Sequence, residues 1–378
     1  MTAHLEDVKG FDDLASEVRD RGVCGHCGGC IAFCSAGEYN ALKAEADGTP
    51  VWADRERCLK CGICYLICPQ VKSLDGELRV KTGWKAPVGQ VRSLSSARAS
   101  SAAIRRLATD GGVVTALLAH ALKKRTIDAA IVSRRVGPLI RQPAVATDLE
   151  GLLQAAGSHF EESLHVHAVG QLYSSYSPGI REMRALGEGK LRRIAIVGTP
   201  CQIFTMQKMR LLGVLPADSI TLMIGLFCME NFSFGARARR TLEKRLSVKL
   251  PDIAKLNIKD DVQVTTMGRK TLHIPFDVMD EFARPACLAC PDFANDYADI
   301  ACGGLGSPEG WTTSLVRTAT GERLFNTALR DGALEELSLH GPKARRDHYT
   351  GVMAKIVSFA RRKQARAAAR HREATRDA

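Results

Sequence analysis

The sequence predicts an α/β core preceded by a small α+β cysteine-rich domain. Two runs, CGHCGGCIAFCS from Cys24 and CLKCGICYLICPQ from Cys58, repeat one CxxCxxCxxxC spacing and hold eight of the thirteen cysteines. From about Ser93 onward, apolar runs of strand length alternate with amphipathic helical patterns, as in α/β proteins. Two of those runs, IAIVGTPC and ITLMIGLFC, end in a cysteine at the point where a strand hands over to a loop. Such junctions lie at the C-terminal edge of a sheet, where open α/β folds place their ligands.

The N-terminal runs come first in the chain. Three cysteines at successive threes wrap the backbone around one cubane, and the fourth of each run ligates the other cluster in two-cluster ferredoxins. The expected ligand sets are Cys24, Cys27, Cys30 and Cys68 for one 4Fe–4S cluster, and Cys34, Cys58, Cys61 and Cys64 for the second. Gly25, Gly28, Gly29 and Gly62 suit loops in which amides approach sulfur closely. Zinc favours paired CxxC half-sites, so the spacing points to iron–sulfur. The proline that usually follows the fourth cysteine is present as Pro69 and replaced by Ser35 in the first run. Between the runs, VWADRERC reads as a short strand and turn, so the region reads as a bacterial-type ferredoxin domain.

Composition sets the wider frame. The chain has 378 residues, 45% apolar and 25% charged, enough for two or three globular domains. The N-terminus MTAHLEDVKGFDDL is acidic without an apolar h-region, and the longest apolar run, Ile220 to Met229, is too short to span a bilayer. A cytoplasmic chain, soluble or peripheral at the membrane's inner face, is expected; there, thirteen cysteines do not form a disulfide framework. The formal net charge is +12. Much of it is local: Lys355 to Ala378 carries eight Lys or Arg against two acids, in an Ala-rich stretch that reads as an exposed helix. Two readings stay open for this tail, a solvated terminus or a docking element for an acidic partner or an anionic membrane surface. No nucleic-acid motif accompanies the charge.

Downstream of Gln70 a polar connector with Gly76 and Gly83 reads as a linker. TDGGVVTALLAHALKK then predicts a helix capped by Thr109 or Asp110, with basic residues at its C-terminal end. Its Gly111–Gly112 pair suits either phosphate approach to free amides or a tight loop. Strand IDAAIV follows. The strand Ile194–Val197 runs into Gly198-Thr199-Pro200-Cys201 and a second helix, and a further strand ends at Cys228. Cys287 and Cys290 stand in CxxC spacing. Each lone cysteine could be a small buried hydrophobe, but two strand-end cysteines beside a spare CxxC pair suggest a third cluster on Cys201, Cys228, Cys287 and Cys290. Cys302, in ACGGLG, is unassigned.

The motifs DGGVVTALL, VGTPCQ, GLFCMENFS, CLACPDF, ADI-x-GG-x-G and GWTTSLVRT occur in an order that resembles the family of beta subunits of coenzyme F420-reducing hydrogenases and dehydrogenases, from about Arg98 to Arg317. With the cysteine-rich region ahead of it, the chain resembles the F420H2 dehydrogenase input subunit. The resemblance implies FAD in a cleft beside a core 4Fe–4S cluster and hydride exchange with the deazaflavin F420. It places Gly111, Gly112, Thr115, Gly198, Thr199 and Pro200 in loops lining FAD, and Cys201, Cys228, Cys287 and Cys290 on the core cluster. It also implies partners, namely other subunits of a redox complex of hydrogenase, dehydrogenase, heterodisulfide-reductase-like or quinone- or phenazine-reducing type. The chain departs from the family at Cys302 and in SHFEESLHVHAVGQ, where His159, His165 and His167 appear and a family lysine does not. Three functions remain open: an F420-linked oxidoreductase with three 4Fe–4S clusters, a related flavo-iron–sulfur reductase for another substrate, or a wiring subunit without catalysis. No acid–base triad is expected, because the cofactors carry the chemistry. The expected division is residues 1–75 for the two-cluster domain, 76–92 for the linker, 93–345 for the FAD and iron–sulfur domain, and 346–378 for the basic tail.

Overall fold

The computed structural model describes residues 8–45, 47–137, 140–157, 193–232, 236–258 and 260–376. His159, His165 and His167 therefore lie outside the described residues. A central eight-stranded sheet organises the core. Its spatial order is Leu334–Glu336, Ser93–Ala99, Thr312–Val316, Ile300–Gly303, Ile220–Leu226, Ile194–Gly198, Ala129–Gly137 and Ile140–Ala146. The sheet is mixed: the four strands from Ile300–Gly303 to Ala129–Gly137 run parallel, and both flanks are antiparallel. The parallel strands are nearly continuous apolar runs because both faces are covered. Helices Val113–Lys123, Leu149–Gln154 and Ala319–Arg330 bury Leu117, Leu118, Leu152 and Phe325 on one face. The other face is closed by Met206, Met209, Phe232, Phe293 and Ile356. A separate three-stranded antiparallel sheet spans Ile253–Ile258, Val262–Thr266 and Thr271–Ile274.

The cysteine-rich region is built twice on one plan. Helix Gly29–Ala36 starts from Gly28 at φ 79°, and helix Ile63–Leu66 starts from Gly62 at φ 71°. Left-handed backbone recurs two residues earlier in each run, at His26 and Lys60. The positive φ turns each loop back on itself, which only glycine does without steric cost. Strands Leu42–Ala44 and Pro50–Trp52 form the hairpin between the runs.

Three expectations are corrected. The segment 76–92 is not a free linker: helix Asp75–Thr82 buries Leu78, the Arg79 guanidinium lies 4.6 Å from the Trp84 ring centroid, and Trp84 Nε1 donates to Asp296 at 2.7 Å. One apolar residue per turn and one indole suffice to hold a short polar helix against a large core. The basic tail is not an exposed helix either. Helix Gly341–Arg376 buries Val352, Ile356, Ala360, Lys363 and Ala367, a stripe at three- and four-residue spacing. Finally, the helix start at Val113 is capped by Gly112 at φ 75° and not by Thr109 or Asp110.

Candidate functional site

The site grows from the C-terminal ends of the parallel strands. Strand Ile194–Gly198 passes through Thr199, whose side chain and Gln202 close a capping box, into helix Pro200–Leu212. Thr199 N–H donates to Gln202 Oε1 at 2.8 Å. Proline at the first helical position costs no hydrogen bond, since that amide has no partner within the helix. Cys201 follows in the first turn, 3.3 Å from Thr199 Oγ1, where the helix dipole favours a thiolate. The next strand delivers Cys228, and Asn295 ties the two strand ends together by donating from Nδ2 to Gly198 O at 2.9 Å and Leu226 O at 3.2 Å. The segment carrying Cys287 and Cys290 packs alongside, with Asn231 N–H donating to Cys287 Sγ at 3.3 Å.

These four cysteines share one buried neighbourhood. Burial raises the thiols of Cys201, Cys228 and Cys287, Cys228 to about 12; the neighbouring sulfurs of Cys27, Cys290 and Cys287 act in the same direction on Cys201, and those of Cys287 and Cys290 on Cys228. As bare thiols, Cys201, Cys228 and Cys287 stay protonated at neutral pH, and a metal centre would displace those protons on binding. In the N-terminal region, Cys24, Cys27, Cys30, Cys64 and Cys68 line one cavity. Cys34, Cys58, Cys61 and Cys64 surround another. Burial comes first in raising Cys34, Cys64 and Cys68 to about 12; after it come Cys61 and Cys58 for Cys34, Cys34 and Cys61 for Cys64, and Cys27 for Cys68. Among the described residues no three Cys, His, Asp or Glu side chains close on a single ion. The N-terminal thiols stand around two cavities instead, a spacing suited to multi-atom clusters.

Helix Pro200–Leu212 joins the core group to the N-terminal one. Thr205, one turn beyond Cys201, bonds the Cys201 carbonyl at 2.9 Å and stands 3.7 Å from Cys27 Sγ. A Cβ on Gly29 would collide with the Thr205 methyl group, so glycine permits this close approach. Another turn on, the ammonium of Lys208 is fully buried and donates to Cys68 O at 2.9 Å and to Val71 O, with Asp75 3.2 Å away.

A cavity of about 220 Å³ opens on the other side of the core thiols, at the strand ends. Gly112, Thr115, Gly198 and Thr199 line it, as do Cys228 and Cys302; Gly111 and Pro200, next to them in the chain, do not. Gly111 N–H donates to Thr312 Oγ1 at 2.9 Å. Cys302 packs its thiol 3.7 Å from Ser314 Oγ in the strand Ile300–Gly303. The glycines here answer to packing: a Cβ on Gly111 would stand 2.7 Å from Ala97 O, and one on Gly198 3.2 Å from Gln202 Cβ. Three buried polar atoms on the cavity wall, Ser133 Oγ, Arg141 Nε and Asn257 Oδ1, have no hydrogen-bond partner among the described residues. Apolar walls with a few unpaired polar groups fit a flat heteroaromatic ligand with polar edges.

Comparison with known proteins settles the family. The C-terminal and N-terminal domains of the coenzyme F420 hydrogenase/dehydrogenase beta subunit match residues 191–340 and 94–169. A coenzyme F420 hydrogenase subunit beta of Methanococcus voltae is 30% identical over 263 residues, 68% of this chain and 88% of that one. The chain belongs to the family of coenzyme F420 hydrogenase/dehydrogenase beta subunits. Within this family of F420-dependent oxidoreductase subunits, it is also 28% identical to an F(420)H(2) dehydrogenase subunit of Methanosarcina mazei, over 82% of this chain and 84% of that one. A solved chain of the F420-reducing [NiFe] hydrogenase complex from Methanosarcina barkeri superposes with a TM-score of 0.64 at 26% identity, covering 77% of this chain and 94% of that one. The cavity, the core thiols and the strand ends all fall within the stretches matched to these beta subunits. Helix Gly341–Arg376 lies beyond them. No helix among the described residues is long and apolar enough to cross a membrane.

Sequence reasoning missed Arg141, Asn231, Thr205, Lys208 and Lys363. Only Lys363 left a signal, the apolar stripe Val352, Ile356, Ala360, Ala367 in which it interrupts the pattern.

Proposed function

We propose that this chain exchanges a hydride between coenzyme F420 and bound FAD, and relays single electrons through three 4Fe–4S clusters to or from another subunit of a redox complex. The observation that supports this reading most is continuity. The cavity shares Cys228 with the core thiol group, and that group reaches Cys27 through one turn of helix at Thr205. When bound, FAD supplies the conversion between two-electron hydride chemistry and one-electron cluster chemistry.

The chain's own residues supply position and electrostatics. Gly112, Thr115, Gly198 and Thr199 would hold the flavin from the strand-end loops, with Gly111 and Pro200 shaping those loops. Arg141 and Asn257 offer the unpaired polar atoms of the wall. Arg141 is the buried cation of the cavity, a counter-charge for an anionic ligand. Cys201, Cys228, Cys287 and Cys290 would hold the core cluster; Cys24, Cys27, Cys30 and Cys68 the next; Cys34, Cys58, Cys61 and Cys64 the last, where Cys61 is exposed.

Anaerobic rapid mixing with reduced F420 tests the order. The reconstituted chain should carry about twelve irons, four at each of three sites, and should restore the deazaflavin absorbance as the flavin bleaches. Cys61→Ser should leave flavin reduction intact and abolish transfer to an external acceptor. Cys290→Ser should also keep a reducible flavin but leave the N-terminal clusters oxidised. Loss of flavin reduction in Cys61→Ser with full transfer in Cys290→Ser would reverse the proposed wire.

A further inference from the structure

The C-terminal helix delivers a buried cation to the core thiols. The Lys363 side chain, which lies outside the family-matched stretches, is 1% exposed. Its Nζ donates to Cys228 O at 2.6 Å and Asp292 O at 2.7 Å. Three residues on, Arg366 pairs with Glu230 at 2.6 Å and donates to Met229 O at 3.1 Å. The helix is thus laced to the backbone beside Cys228 and beside Cys290, on two different segments.

A buried ammonium is costly unless anions compensate it. The direct partners of Lys363 are two neutral carbonyls. The carboxylate of Asp292 is engaged by the amides of Asn295 at 2.8 Å and Asp296 at 3.0 Å, and Glu230 already has Arg366. With a cluster bound, the thiolates of Cys228, Cys287 and Cys290 would supply the remaining negative charge beside the ammonium.

We infer that Lys363 is the fixed counter-cation of the core thiol group and raises the reduction potential of the cluster proposed there. The inference rests on the reading of those thiols as a cluster site. Reduction adds one negative charge, and a fixed cation in a low-dielectric interior favours the more negative state. Lys363 is a positioning residue in this role: it acts on the cluster through charge and through the carbonyls it holds, and it touches no substrate.

The test uses the full chain, reconstituted anaerobically, with the clusters followed by electron paramagnetic resonance during a potentiometric titration. Lys363→Met keeps the length of the side chain and removes its charge. The core cluster's midpoint should move to a more negative value while the midpoints of the N-terminal pair stay in place. A fully loaded Met variant with an unshifted core midpoint overturns the inference. If the Met variant loses core iron alone, Lys363→Arg decides: restored iron supports a role for charge, and continued loss assigns the position to packing and overturns it. A wild-type chain holding only about eight irons would sink the core-cluster reading itself, a result distinct from any of these.

Discussion

Lys208→Met should undock the cysteine-rich region from the core without disturbing the flavin cavity. Lys208 has no exposed surface, donates to the carbonyls of Cys68 and Val71, and pairs with Asp75. Methionine fills nearly the same volume, so packing changes little. The loss is two charge-assisted hydrogen bonds, about 1.5–3 kcal/mol each. Relief of the buried ammonium offsets part of that, and Asp75, 27% exposed in its side chain, can rehydrate. The net cost of docking is therefore about 2–4 kcal/mol, toward the lower end of the range for a broken buried pair. Where opening is fast relative to cleavage, proteolysis tracks the open population, so cutting near residues 83–92 should accelerate about 30- to 700-fold. In the same variant, flavin reduction should persist and electron delivery to the N-terminal clusters should slow, because the Thr205–Cys27 approach depends on that docking. An unchanged cleavage rate together with unchanged transfer would refute the reasoning.

Arg141 donates to Ser133 O, Ala155 O at 3.1 Å, Ala156 O at 3.3 Å and Gly157 O at 2.6 Å; Arg141→Met should release the flavin while iron content stays at the parent value, measured on the same sample. Gly111→Ala should destabilise the chain by about 1–3 kcal/mol even without flavin, because its new methyl meets backbone that cannot move aside; an unshifted urea midpoint of the flavin-free protein would count against this. Asp296 is raised to about 8, first by burial and then by Asp292. The unfolded carboxyl ionises near pH 4, so the stability this proton supplies is complete below about pH 4 and is lost as pH rises toward 8. Asp296→Asn stays neutral throughout, and its urea midpoint should fall less than the parent's between pH 5 and 8; parallel curves would show that the proton is not held.

The sequence by itself determined what depends on near neighbours. The repeated cysteine spacing, the left-handed glycines at Gly28 and Gly62, the hairpin around Trp52, and the strands that lead to Cys201 and Cys228 all follow from short-range periodicity and turn chemistry. The ordered motifs from Arg98 to Arg317 were enough to point to the family. Only the tertiary structure decided the rest. The flanking strands Ser93–Ala99 and Ile140–Ala146 turned out antiparallel, because pairing direction is set by which long-range edge is free and not by the strand's own residues. The expected linker became a packed helix once Leu78 and Trp84 found the core. The basic tail, whose composition matches a solvated helix, carries Lys363 inward to Cys228, 135 residues away in the chain. A lysine's cost of burial depends on the charges that meet it, and those charges come from segments that adjoin only after folding.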